Sequence, residues 1–266
     1  MTADAGFVQT SQGRLYHEMA GDGPPLVLIH GGLWDARMWD DQFEAFAQRR
    51  SVLRYDLRGF GRSERPTGPF SNTQDLTELL QHLGIERTAV LGLSMGGRVA
   101  IDFTLEHPEM VSALIPVAAG LGGFEYEDAE LEKRWQELEA AIEAGDIDRA
   151  VDIELEIWAP VPTDPDAERR CRAIAHQNTF ELTMDESWPR HIDPPAVGRL
   201  GEIRVPTLVI VGDRDQPLML AIADALVQGI AGARRAVVAG ADHVPNMRYP
   251  VEFNRLVLDF LAAAER

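Results

Sequence analysis

The sequence predicts an α/β protein built on a doubly wound, mostly parallel sheet, with a helical insertion in its second half. Short, almost continuously apolar runs alternate with amphipathic stretches along most of the 266 residues. Strands covered by helices on both faces have this apolar character, because neither face meets water. In residues 121–190 the strand-like runs cease and only helical patterns remain. We therefore expect a core formed by residues 1–120 and 191–266, with the helical insertion between them.

The strands are predicted where apolar runs are bounded by turn residues. The first two flank Ser11-Gln12-Gly13 and are expected to form an antiparallel hairpin at one edge of the sheet. Five later runs are expected to be buried parallel strands, and a short run before Gly240 is expected to be the last strand. In chain order these segments are Phe7–Thr10, Leu15–Ala20, Leu26–His30, Val52–Tyr55, Ala89–Leu93, Ala113–Ala118, Thr207–Val211 and Ala236–Val238.

The helices are predicted from caps, chain breakers and apolar periodicity. Asn72–Leu83 follows the N-cap residue Ser71 and stops at Gly84, while Met95–His107 stops before Pro108. In the insertion, apolar residues recur every three or four positions, so each stretch presents one apolar stripe, as amphipathic helices do. The other predicted helices are Glu130–Ala144, Asp146–Trp158, Asp166–His176, Leu218–Ile230 and Val251–Ala264.

The charge balance excludes some classes of partner. The chain has 25 basic and 43 acidic residues and a formal net charge of −18. Binding to nucleic acid or to an anionic membrane surface requires a basic patch, so we expect neither. Residues 121–170 carry 16 of the acidic and only five of the basic residues. We interpret this excess as the solvated face of amphipathic helices, which would also discourage anionic substrates.

The scarcity of lysine and cysteine excludes several kinds of binding site and cross-link. Lys133 is the single lysine and does not follow glycine, which excludes a Walker phosphate loop. Cys171 is the single cysteine, so no intrachain disulfide or cysteine metal cluster can form. The first residues lack a signal-peptide pattern, and the longest apolar run, Ala113–Leu121, is too short to span a bilayer. We expect no metal, no cofactor and a cytoplasmic location.

The clearest chemical motif is Gly-x-Ser-x-Gly at residues 92–96, between a predicted strand and a predicted helix. A sharp turn at this place lifts Ser94 above the sheet in a strained backbone conformation, and the glycines keep neighbouring backbone from colliding. The strand–turn–helix context favours Ser94 as a nucleophile over the alternative, in which it only caps the helix.

A serine nucleophile needs a base and a group that orients the base. His243 lies in the loop after the last predicted strand, at the end of the sheet where ligand sites form. Two acids follow the preceding strand, of which we favour Asp215 as the orienting group and Asp213 as a turn cap. Asp242 adjoins His243 in sequence, so its side chain is poorly placed to reach that ring.

The oxyanion of an acyl-transfer intermediate needs two preorganised N–H donors. The Met95 N–H is one candidate, because it lies at a helix N-terminus next to Ser94. The second donor should come from the loop after the strand Leu26–His30. We choose Gly32 for this role and leave Leu33 open as the neighbouring alternative.

Taken together, these motifs resemble the α/β-hydrolase superfamily over the whole chain, in its serine-triad branch of esterases and enol-lactonases. The resemblance implies the α/β-hydrolase fold, with residues 121–190 as a helical lid. Ser94 replaces the aspartate nucleophile of haloalkane dehalogenases and of many epoxide hydrolases. The matching motifs are His30-Gly31-Gly32, Asp56–Ser63, Gly92–Gly96, Gly212–Asp215 and Asp242-His243.

The function expected from these groups is cofactor-free hydrolysis of a small carboxylic ester or lactone through an acyl-enzyme on Ser94. The substrate pocket should be largely apolar. The residues predicted to line it are Leu33, Trp34, Phe124, Trp135, Trp158 and Val244.

Several alternatives share the same catalytic groups. The runs Leu93–Gly97 and His243–Met247 are similar to those of 3-oxoadipate enol-lactonases, and hydrolases of carbon–carbon bonds in ring-cleavage products and perhydrolases use the same triad. Such anionic enol-lactones and ring-cleavage products would need an arginine in the pocket, such as Arg98 or Arg190. A small-molecule receptor that retains the triad is the alternative from another class. A homo-oligomer formed through the lid is also left open.

Overall fold

An eight-stranded sheet organises the protein in the computed structural model, which describes residues 4–161 and 164–265. Its strands are β1 (Asp4–Thr10), β2 (Gly13–Ala20), β3 (Pro25–Ile29), β4 (Ser51–Tyr55), β5 (Thr88–Leu93), β6 (Val111–Val117), β7 (Leu208–Gly212) and β8 (Arg234–Val238). Their spatial order is β1-β2-β4-β3-β5-β6-β7-β8. Strand β2 runs antiparallel to β1 and β4, and the remaining pairs are parallel. The predicted fold class and the hairpin at the sheet edge are therefore confirmed.

Helices cover both faces of the sheet. They are α1 (Asp40–Ala47), α2 (Asn72–His82), α3 (Met95–Glu106), α4 (Ala129–Glu143), α5 (Ile147–Trp158), α6 (Pro165–Ala175), α7 (Pro217–Gly229), α8 (Pro245–Arg248) and α9 (Pro250–Ala264). Short 3₁₀ helices occupy Ala36–Trp39, Pro108–Met110, Thr179–Thr183, Ala196–Gly198 and Leu200–Glu202. Helices α1 and α8 were not among the predicted helices, because each is too short to show a repeating apolar stripe.

The central strands divide their side chains between two apolar layers. In β3, Leu26 and Leu28 belong to the cluster that includes Trp39 of the first 3₁₀ helix, whereas Val27 and Ile29 belong to the cluster that includes Phe103 of α3. All four of these β3 side chains are fully buried. The near-continuous apolar runs noted in the sequence follow from this coverage of both faces.

The segment 121–190 carries α4, α5 and α6, and no strand occurs in the part of it that the structure describes. Helices α4 and α5 share an apolar cluster of their own, while α5 and α6 also join the layer that contains Trp39. Each of the three helices begins at an aspartate whose carboxylate accepts backbone N–H groups, namely Asp128, Asp146 and Asp164. Part of the acidic excess therefore caps helix N-termini, where negative charge is stabilising. The domain boundaries at residues 120 and 191 remain a prediction.

Candidate active site

Ser94 lies on a strained turn between β5 and α3. Its φ and ψ angles are 55° and −115°, in a region that residues with a side chain rarely adopt. A Cβ on Gly92 would collide with the Gly96 carbonyl, and one on Gly96 would collide with the carbonyl of Ile29. The two glycines of the motif are therefore required by close backbone approach around the serine.

Backbone hydrogen bonds hold this turn in place. The Ser94 N–H donates to the carbonyl of Val117 over 2.9 Å, and the Ser94 carbonyl accepts from Arg98 and Gly120 over 3.0 Å each. The turn is thus fixed to the end of β6 and to the loop that follows it, and the conformation of Ser94 is overdetermined by its surroundings.

His243 and Asp215 form a buried pair at the carboxyl ends of β7 and β8. The His243 Nδ1 atom lies 3.1 Å from each carboxylate oxygen of Asp215. The two side chains are 2 % and 0 % exposed. A carboxylate accepts hydrogen bonds, so Nδ1 carries the proton and donates it to Asp215. The Nε2 atom is then the nitrogen that can accept a proton from a nucleophile.

The two other acids near this pair have different partners. Asp213 accepts the N–H of Gly240 over 2.6 Å and so closes the turn after β8. Asp242 is fully buried and faces Arg248, whose Nε atom is 3.1 Å from its Oδ2. The structure therefore brings Asp215, and neither Asp213 nor Asp242, to the His243 ring.

A cavity of about 760 Å³ contains both Ser94 and His243 in its wall. Five further predicted site residues line it: Gly32, Leu33, Trp34, Met95 and Trp158. The cavity lies at the carboxyl ends of the parallel strands, where the loops of a doubly wound sheet meet.

Three residues predicted for the pocket lie elsewhere. Trp135 on α4 is 44 % exposed, whereas the buried residues of that helix are Leu131 and Ala141. Val244 is fully buried in the layer beside Trp39. Phe124 packs against the layer that contains Phe103. These corrections reflect the packing of the insertion, which the apolar character of a side chain does not specify.

Hydrogen bonds of His30 hold the loop that follows β3 in place. The Nε2 atom of His30 accepts the N–H of Leu57 over 2.9 Å, so its Nδ1 carries the proton and donates to the carbonyl of Gly31 over 2.8 Å. Complete burial lowers the pKa of His30 to about 4, and the ring is neutral at pH 7. His30 therefore positions this loop as a neutral ring.

The N–H groups of this loop lie next to an acid that the sequence analysis missed. Leu33 has a φ of 59°, and its N–H donates to the Oε2 atom of Glu181 over 2.9 Å. A Cβ on Gly32 would lie 3.0 Å from both carboxylate oxygens of Glu181. Glu181 lies in the 3₁₀ helix Thr179–Thr183, outside every predicted element, and nothing in the sequence indicated a position in the site.

A second acid, Glu154 on α5, also lines the cavity. Burial raises its pKa to about 7, and the nearby charge of Glu181 adds to the shift, while Trp158 and His243 oppose it. The spacing of Glu154 along its helix could have indicated this position from the sequence. Glu154 lies three positions after Val151 and four before Trp158, so the three residues lie on one side of the helix.

The last turn of α5 contacts the loops that carry the candidate base and acid. The carbonyl of Ile157 accepts from the Gln216 side chain over 2.6 Å, and the carbonyl of Trp158 accepts the N–H of His243 over 3.3 Å. The Trp158 and His243 rings are 4.7 Å apart between centroids. The core loops thereby satisfy carbonyls that the end of a helix leaves free, and the insertion helps to place His243.

Three arginines also line the cavity, Arg58, Arg98 and Arg190. The Arg98 Nε atom is 3.8 Å from the Oδ2 of Asp102, its neighbour one turn later on α3. Burial raises the pKa of Asp102 to about 6, although Arg98 opposes this shift. The cavity therefore holds guanidinium groups as well as carboxyl groups.

Two kinds of feature are absent from residues 4–161 and 164–265. No three His, Cys, Asp or Glu side chains among them are grouped as metal ligands would be. Within the same residues, no helix combines the length and the apolar character needed to cross a bilayer.

Comparison with known proteins agrees with this geometry. Residues 26–256 match the model described as "Alpha/beta hydrolase family". The chain is 31 % identical over 251 residues to "Putative carbamate hydrolase RutD" of Azorhizobium caulinodans, covering 92 % of this chain and 94 % of that protein. It is 29 % identical over 267 residues to 2-hydroxy-6-oxo-6-phenylhexa-2,4-dienoate hydrolase of Comamonas testosteroni, covering 93 % and 91 %.

A solved structure of a hydrolase also resembles this chain over nearly its whole length. The enol-lactonase from Burkholderia xenovorans LB400 superposes with a TM-score of 0.80 at 26 % identity, over 97 % of this chain and 100 % of that one. The strand order, the turn at Ser94 and these likenesses agree over nearly the whole length. The chain therefore belongs to the alpha/beta hydrolase family, and its enzymatic class is that of a hydrolase.

Proposed function

We propose that the protein is a serine hydrolase that cleaves a small carboxylic ester or lactone through an acyl-enzyme on Ser94. The observation that carries this proposal is the placement of Ser94, on its strained turn, in the wall of the same cavity as His243. The contact of His243 with Asp215 leaves its Nε2 free to act as the base.

In the acylation step, the Ser94 Oγ attacks the carbonyl carbon and His243 Nε2 accepts its proton. The carbonyl π bond breaks to give an oxyanion. When the carbonyl re-forms, the alcohol leaves and takes the proton back from His243. Asp215 stabilises the imidazolium that exists between these two transfers. Water then repeats the sequence on the acyl-enzyme, which releases the acid and restores Ser94.

The oxyanion would be held by two backbone donors. The N–H of Met95 lies at the first turn of α3, where the helix dipole favours negative charge. For the second donor we favour Gly32 over Leu33, because the Leu33 N–H is already bonded to Glu181. Loss of one such donor typically lowers turnover by about 10²- to 10³-fold.

The direct test is Ser94→Ala, assayed with p-nitrophenyl acetate. We expect kcat to fall by roughly 10⁶-fold, because no other group supplies the nucleophile. The matched control is Ser187→Ala, which alters an exposed serine whose hydroxyl donates to Asp185, and it should leave turnover unchanged. Turnover of Ser94→Ala close to that of the unsubstituted protein, with both variants folded by circular dichroism, would refute the proposal.

A second candidate is hydrolysis of an anionic enol-lactone or of a carbon–carbon bond in a ring-cleavage product. The observation that favours it is the presence of Arg98 and Arg190 in the cavity wall, where either could bind a carboxylate. The likeness to the dienoate hydrolase and to the enol-lactonase agrees with it. For such a substrate, Arg98→Gln and Arg190→Gln should raise KM, whereas KM for p-nitrophenyl acetate should not change.

A further inference from the structure

We propose that Glu154 and Glu181 form a subsite that binds a substituted ammonium group on the substrate, next to the carbonyl that Ser94 attacks. The preferred substrate is then a small cationic ester. This inference rests on the proposed function, because it assigns the substrate class of the same site.

The position of the two carboxyl groups carries the inference. Glu154 comes from α5 and Glu181 from the 3₁₀ helix that follows α6, and both side chains line the cavity that contains Ser94 and His243. The Oε2 atom of Glu181 lies 2.9 Å from the N–H of Leu33, so this carboxyl group adjoins the candidate oxyanion donors. A ligand whose carbonyl reached those donors would place a neighbouring group against the pair.

Neither carboxyl group has a cationic partner within the part of the chain that the structure describes. The ion pairs formed there involve other acids, and no arginine or lysine acts on the pKa of Glu154 or Glu181. Removing a carboxylate from water without a cationic partner is costly, and the charge of Glu181 acts unfavourably on an ionised Glu154. A cation bound between them would offset both costs, because it supplies the opposite charge that the protein does not.

Two of the three guanidinium groups in the cavity wall are paired with carboxylates other than Glu154 and Glu181. Arg98 faces Asp102, and Arg58 is bound to Asp75 at 2.8 Å, so each is offset by its own carboxylate. The charged groups that act on Glu154 are Glu181, from the 3₁₀ helix, and His243, from the loop after β8. The remaining charged or titratable side chains of the wall are Glu106, Glu186, Arg190 and His191.

Aromatic rings in the same cavity wall favour a substituted ammonium group over a small inorganic cation. Trp34 and Trp158 line the same cavity, and Trp158 lies four residues after Glu154 on α5. Indole faces attract quaternary ammonium groups through their ring quadrupole, especially where water is excluded. The Trp158 ring is also the one that contacts His243, which keeps this subsite beside the reacting atoms.

The test compares acetylcholine with 3,3-dimethylbutyl acetate, a neutral ester of the same shape. At about pH 8, where a carboxyl group with a pKa of about 7 is ionised, kcat/KM for the cationic ester should be at least about tenfold higher. The advantage should lie in KM and should shrink at about pH 6, because the pair gains a proton there. The neutral ester is measured at both pH values, and the ratio of kcat/KM between the two esters cancels any effect of pH that they share.

Glu154→Gln and Glu181→Gln should each reduce the preference, and the double variant should abolish it. The preference is the ratio of kcat/KM for the cationic ester to kcat/KM for the neutral ester, so any change in the oxyanion loop that affects both esters cancels. The control is Glu139→Gln, which removes one negative charge from an exposed position on α4 and should leave the preference intact. The inference would be overturned if kcat/KM were about equal for the two esters in the unsubstituted protein. It would also be overturned if the double variant kept the preference for the cationic ester. A thermal melting curve is recorded for each variant to check that it is folded.

Equilibrium binding separates the subsite from the reaction. Choline and 3,3-dimethylbutanol are titrated into Ser94→Ala by calorimetry, and choline should bind more tightly, in a manner that depends on Glu154 and Glu181. If no ester is cleaved but choline shows this preference, the subsite stands and the proposed function fails. If esters are cleaved at Ser94 and choline shows no preference, the proposed function stands and the subsite fails.

Discussion

Three acidic side chains lie near His243 in sequence or in space, and their environments assign them different tasks. Asp215 contacts both the imidazole Nδ1 and the N–H of Gln216, and it has no exposed surface. Asp213 closes the turn at Gly240, and Asp242 neutralises Arg248. Asp213 and Asp215 are only two positions apart in the loop after β7. Asp213 shapes a turn, whereas Asp215 contacts the candidate base.

Asp215→Asn should lower kcat for p-nitrophenyl acetate by about 10⁴-fold with little change in KM, as the equivalent substitution does in serine proteases. The amide can donate to Nδ1, which stabilises the wrong tautomer of His243 and removes the charge that stabilises the imidazolium. Steady-state kinetics measure the effect. Asp213→Asn is the control, and we expect its kcat to stay within a few fold of the unsubstituted protein. Equal losses in the two variants would contradict the assignment of Asp215.

The strand–turn–helix unit formed by β5, Ser94 and α3 depends on close backbone contact with β3. Gly96 packs so tightly against the carbonyls of Ile29 and His30 that no side-chain atom fits between them. Because β3 also leads into the loop of Gly32, this contact sets the distance between the nucleophile and a candidate oxyanion donor. The glycine is needed here for space, while the strain of the turn is carried by Ser94 itself, which has the positive φ.

Gly96→Ala should lower the free energy of unfolding by about 1–3 kcal/mol, because the added methyl group forces the first turn of α3 away from β3. Turnover should fall as well, since the oxyanion donors separate. Gly201→Ala is the matched control, as an added Cβ there meets nothing within 4 Å. Its free energy of unfolding should change by less than about 0.5 kcal/mol. Urea unfolding monitored by circular dichroism measures the free energy of unfolding of both variants. Equal values for Gly96→Ala and Gly201→Ala would contradict this role of Gly96.

The insertion and the core are joined by contacts made by Arg248. Its guanidinium lies 2.8 Å from the Oε2 of Glu168 on α6, donates to the carbonyl of Ala159 over 2.9 Å and faces Asp242. The Arg248 side chain has no exposed surface. Arg248 therefore links α6 and the end of α5 to Asp242, the residue that precedes His243.

Arg248→Met should destabilise the protein by about 3–5 kcal/mol, because it leaves Asp242 buried without its partner. The comparison is Arg255→Met, which removes an exposed pair with Asp259 at 3.5 Å. That change should cost no more than about 1 kcal/mol. Urea midpoints measure both effects. The role of Arg248 would be contradicted by a midpoint equal to that of Arg255→Met.

Local patterns in the sequence were sufficient for the strands, for most of the helices and for the turn at Ser94. These features depend on apolar periodicity, caps and backbone sterics within a few residues, all of which are written in consecutive positions. The choice of Asp215 over Asp242 could also be made locally, since a side chain cannot easily reach the ring of the next residue.

The composition of the cavity wall was decided by the tertiary structure. Glu181 contacts Leu33 across 148 positions of the chain, and Trp135 is exposed although Leu131, one helical turn earlier, is buried. Such contacts depend on how the insertion packs over the core, and side-chain polarity alone does not encode that arrangement. The sequence by itself determined the fold and the candidate reacting groups, because both follow from short-range rules. The tertiary structure alone placed two carboxyl groups beside them, because only folding brings distant residues into one cavity.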